Sequence, residues 1–136
     1  MSIKLHAAAA LLAIAGIATA GTAIADNAGE DEYMANCASC HGAAGMGKGP
    51  MAEFLTVEVP DLTMIAQRND GVFPFLTVVH MVDGRSGLME HGGAMPVWGD
   101  EFTHQAADGM AGDYSAVYEV RGRVLSLVYY LESIQQ

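Results

Sequence analysis

Cys37-Ala38-Ser39-Cys40-His41 concentrates the chain's only two cysteines and one of its five histidines in five residues. Cysteines three positions apart face the same way on a helical turn. Each thiol can then add to one vinyl group of a haem, and the imidazole of His41 reaches the iron from the same side. C-x-x-C-H therefore reads as covalent haem attachment, with iron as the metal and haem c as the cofactor. Three other chemistries use such cysteines. A thioredoxin-like pair needs a βαβ setting, and no strand pattern precedes Cys37. A zinc site needs four ligands and an iron–sulfur cluster usually four thiolates, yet only two cysteines exist. A plain disulfide in an exported chain is the remaining alternative.

The iron's second axial ligand decides what such a haem does. Of nine methionines, Met95 has a distinctive setting, Gly92-Gly93-Ala94-Met95-Pro96-Val97-Trp98-Gly99. Pro96 pushes Met95 away from helical backbone, and the glycines let the chain approach a flat ligand closely. Trp98 can cover the haem edge and offer its indole N–H to a propionate. His91 is the rival ligand. Met34 and Met81 fall in expected helices and read as packing, and His80 and His104 read as structural or surface residues. Arg85 is a candidate partner for a haem propionate.

These groups need elements to hold them. A first helix is expected over residues 28–39, with Glu30, Asp31 and Glu32 at the positive end of its dipole. A glycine-rich loop follows over 42–50, and a short helix capped by Asp61 is expected over 61–67. Another helix should run over 73–82, with Pro74 in its first turn and Gly84 ending it. Residues 85–99 read as loop. The last helix, over 115–134, has an apolar face of Val117, Val120, Val124, Leu127, Val128 and Leu131. No stretch shows strand alternation bounded by hairpin turns, so the expected fold is all-α: three to five helices with long loops wrapped around one haem.

Residues 5–20 are almost wholly apolar and small, preceded by Lys4, and Ala23-Ile24-Ala25 offers a signal-peptidase site. Residues 1–25 are expected to be a cleaved signal peptide and 26–136 a single haem domain, exported to the periplasm. The Ala-rich run is a poor membrane span, so the mature chain is not expected to insert. All 16 acidic residues follow Ala25, against five of the basic ones, for a net charge of −11. Such acidity disfavours nucleic acid and favours redox protein partners with a basic docking face; a monomer is expected.

With these residues in view, the sequence resembles the class I c-type cytochromes, especially small bacterial periplasmic monohaem members with a Met-Pro-x-Trp-Gly segment. The resemblance rests on Cys37 to His41, Gly49-Pro50, Met95 to Gly99, and Leu127 with Tyr130. It implies that first and last helices cross where Gly29 and Tyr33 meet Leu127 and Tyr130. It also implies that Pro50 offers its carbonyl to the second ring nitrogen of His41. The mature chain departs from mitochondrial relatives in having one lysine, Lys48, and residues 100–113 look like an extra lobe or docking surface. The implied role is an electron carrier, or the cytochrome subunit of an oxidoreductase, and not an enzyme. A haem gas sensor or peroxidase-like protein with a labile sixth ligand is the alternative.

Overall fold

The structure, a computed structural model, describes residues 23–85, 95–106 and 114–136, with side chains from Asn27 onward. Among these residues it is all helix and loop, with no strand. Five α-helices are α1 (Ala23–Asn36), α2 (Ala38–His41), α3 (Phe75–Asp83), α4 (Trp98–Ala106) and α5 (Ser115–Ser133). Three 3-10 turns, Ala52–Phe54, Leu62–Met64 and Gln67–Asn69, lie in the connection from α2 to α3. The all-α expectation holds. The signal peptide falls almost wholly outside the described residues, as do His91, three residues of the glycine-rich stretch before Met95, and residues 107–113.

α5 organises the molecule, packing against α1, α3 and α4. Val124, Leu127, Val128 and Leu131 are buried on one face of it, as their spacing requires. Val117, at the start of the same apolar register, is 41% exposed, so burial begins only in the second half of the helix. Tyr33 from α1, Cys37, Val78 and Val82 from α3, and Phe102 from α4 join them in the core. Each fully buried side chain of this size contributes roughly 1.5–3 kcal/mol by removal from water.

The α1–α5 crossing depends on Gly29. A Cβ there would sit 2.2 Å from the Ser126 carbonyl oxygen and 2.8 Å from Tyr130 Cβ. One turn on, the rings of Tyr33 and Tyr130 pack at a tilt of 43° with centroids 5.2 Å apart. Backbone therefore meets backbone at one level and ring meets ring at the next.

α3 starts and stops where its residues dictate. Pro74 is the N-cap, and Gly84 adopts a left-handed conformation (φ 82°) as the C-cap, donating its N–H to the His80 carbonyl. Asp61 caps the turn Leu62–Met64, accepting from Thr63 N at 2.9 Å and from Thr63 Oγ1 at 2.6 Å. α4 is the main departure. Residues 98 and 99 belong to a helix, not to the loop expected over 85–99, and that helix continues through residue 106 with Phe102 and Ala106 buried, so residues 100–106 are not a separate lobe. Trp98, Phe102 and Ala106 recur every fourth residue and place one face against α5, with Phe102 fully buried. Asp100 and Glu101 in the first turn suit its dipole.

Candidate cofactor site

The attachment segment is a helical turn docked at the end of α1. Cys37 N donates to Tyr33 O at 2.8 Å and His41 N to Cys37 O at 2.9 Å, so helical hydrogen bonding passes through the break between α1 and α2. The loop that follows folds back on this turn. Gly47 N donates to His41 O, Gly49 N to Cys40 O and Met51 N to Ser39 O, at 2.8, 3.0 and 2.9 Å. Tyr33 pins the loop from the other side by donating its hydroxyl to Gly42 O at 2.5 Å. Burial raises the pKa of that hydroxyl, with Cys37 and Tyr130 adding to the effect.

A cavity of about 520 Å³ opens beside this turn, within the usual range for cofactor pockets. Cys37, Cys40 and His41 form one wall. Met95, Pro96 and Trp98 line it from the start of α4, and Met81 from α3. Leu55, Val57, Val59 and Pro60 close another side, giving a predominantly apolar lining. His41 is buried, Cys40 and Met95 are half-buried, and Trp98 packs on Phe102 with ring centroids 5.7 Å apart.

Both cysteines are unbridged. Burial pushes the Cys37 thiol up to about 12, with repulsion from Glu32 and Cys40 adding to it. A thiol held protonated lacks the thiolate character of a redox-exchange cysteine. Among the described residues, no three His, Cys, Asp or Glu side chains gather as a metal cluster. The zinc and thioredoxin-like alternatives therefore find no support here. Two thiols on one helical turn, an adjacent imidazole and a thioether around an apolar cavity are the donor set that a covalent haem requires.

Two expected site residues lie elsewhere. His41 Nδ1 is 3.2 Å from the carbonyl oxygen of Pro60, not Pro50. Pro50 is exposed, and its segment instead secures the attachment turn through the bonds of Gly49 and Met51. Arg85 is 61% exposed and pairs with Asp83, lining a separate hollow between α3, α4 and α5. A near neighbour of opposite charge has taken it, and it does not reach the cofactor cavity. Conversely, Asn36 and Pro60 line the cavity without having been singled out, and Met81, expected to be a packing residue, lines it as well. The alternating Leu55, Val57 and Val59 ending in Pro60 was the available signal for that wall.

An α-helical shell that closes a C-x-x-C-H turn against an apolar, methionine-bearing cavity defines a c-type cytochrome. Residues 25–112 match the family model described as cytochrome c oxidase, cbb3-type, subunit III, and the chain belongs to that family of c-type cytochrome domains. No curated protein and no solved structure gives a significant match. The domain carries covalently bound haem c with its iron, and its chemistry is haem-based electron transfer. Among the described residues, no helix is long and apolar enough to cross a membrane.

Proposed function

We propose that this protein is an exported one-electron carrier whose single low-spin haem is bound through Cys37 and Cys40 and ligated by His41 and Met95. The convergence of these four residues on one apolar cavity carries the reading. Haem c supplies reversible one-electron exchange at its iron. The Pro60 carbonyl lies within hydrogen-bond reach of His41 Nδ1, which would leave Nε2 for the metal; such a hydrogen bond also raises the basicity of a ligating imidazole. Met95, lining the cavity just before α4, would supply a soft thioether, a ligand that favours the reduced state. Met95, Pro96 and Trp98 all line the cavity, whereas Met81 enters it alone from within α3.

Two protein ligands would leave no position for substrate, which separates a carrier from a gas sensor or peroxidase. A shallow groove containing Met46, Lys48, Glu53, Val57 and Glu58 adjoins the cavity and shares Val57 and Glu58 with it. Its exposed Met46 and Val57 beside acidic side chains suit a redox partner with a basic rim around an apolar centre. Such a carrier serves equally as a free shuttle or as the cytochrome subunit of an oxidoreductase, the setting named in the family description.

Carbon monoxide tests the assignment. The reduced protein and the Met81→Ala variant should not bind it, and Met95→Ala should bind it readily. Binding by the unaltered protein would favour the sensor or peroxidase reading.

A further inference from the structure

Glu32 on α1 and Arg123 on α5 are 91 positions apart in sequence and meet in a two-point ion pair. Arg123 Nε lies 2.7 Å from Glu32 Oε1 and Nη2 lies 3.0 Å from Oε2, both side chains only 20% exposed. The same guanidinium donates through Nη1 to Gln105 Oε1 at 2.8 Å and lies 3.9 Å over the Phe102 ring centroid. Each of its three nitrogens therefore donates to a side-chain oxygen. The pair is also linked to the cofactor cavity: Asn36, in the cavity wall, donates its amide nitrogen to Glu32 Oε2 at 2.9 Å. Asn36 immediately precedes Cys37, so this hydrogen bond sets the carboxylate beside the attachment turn.

We infer that Arg123 is a positioning residue for the haem's redox balance: by neutralising Glu32 beside Asn36 and Cys37, it keeps the reduction potential above the value that a lone carboxylate there would impose. The inference rests on the cavity being the haem site. Oxidation adds one positive charge at the iron, so a nearby uncompensated carboxylate stabilises the oxidised state. A half-buried pair is screened little by salt, and a bidentate guanidinium cancels the carboxylate at close range.

The test is potentiometric titration of the holoprotein, with haem mass and thermal melting recorded on each variant. Arg123→Gln should shift the potential downward and Glu32→Gln upward. The double variant should return near the unaltered value, and Arg123→Lys, which retains the charge, should stay close to it despite a lower melting temperature. A purely structural role would lower the melting temperature of both single variants without opposite shifts in potential. Unchanged potentials, or shifts of the same sign, overturn the inference. If Arg123→Gln does not accumulate, Glu32→Gln decides, and a potential not above the unaltered one overturns it. Chains lacking haem mass altogether would instead contradict the site assignment.

Discussion

The two sides of the cofactor cavity are built in different ways. The His41 side is a continuous backbone lattice: α1 runs into the attachment turn, three loop amides bond back to it, and the α1–α5 crossing buttresses it from behind. The Met95 side is a short segment entering α4, held by Pro96, by Trp98 against Phe102, and by packing of α4 on α5. One side is anchored through the main chain and the other through side chains. The first is suited to keeping the cofactor in place, and the second to setting the iron's sixth ligand without determining whether haem stays attached.

Breaking the two sides should therefore give unequal results. His41→Ala, or Cys37→Ala with Cys40→Ala, should abolish stable haem incorporation almost completely, read as the ratio of haem absorbance to protein. Met95→Ala should retain the haem mass and change only the ligation, seen as a high-spin ferric spectrum. Equal haem loss in both would erase the asymmetry.

Disturbing the buttress is a milder intervention. Gly29→Ala forces a methyl group into the Ser126 carbonyl, and overpacking of this kind costs about 1–3 kcal/mol, or roughly 4–8 °C of melting temperature per kcal/mol. A melting temperature unchanged by the substitution would show that the crossing is looser than its geometry.

Tyr33 gives the anchored side a pH signature. Its pKa is raised by burial above the ordinary 10.0, so its contribution is complete below pH 10 and declines as pH rises beyond it. The part of the shift due to Cys37 disappears once that sulfur is a thioether. Alkaline melting curves should fall above pH 10, and less steeply in Tyr33→Phe. The smallest effect belongs to Asp61, whose pKa is lowered from 3.8 chiefly by the Thr63 hydroxyl. Its contribution is present above pH 3.8 and lost below it, so Asp61→Ala should slightly flatten the acid limb of the melting curve.

The anchored side was also the more legible one in sequence. The attachment motif, the Pro74–Gly84 boundaries and the buried face of α5 are local patterns or repeats of known period, and the meeting of Gly29 and Tyr33 with α5 followed from the resemblance to class I c-type cytochromes. α4 escaped notice because it has only three apolar positions on its face and begins between Pro96 and Gly99. Pro60 could not be distinguished from Pro50, because the choice depends on how the loop from Gly42 travels, which no local pattern encodes. Arg85 was drawn to Asp83 two residues away, and the Glu32–Arg123 pair depends on a helix crossing that brings distant positions together.

X-ray absorption at the iron edge of the purified, oxidised holoprotein tests the central claim most directly. One sulfur and five nitrogen neighbours, with the sulfur lost in Met95→Ala and kept in Met81→Ala, is the predicted result. Six light-atom neighbours in the unaltered protein would contradict it.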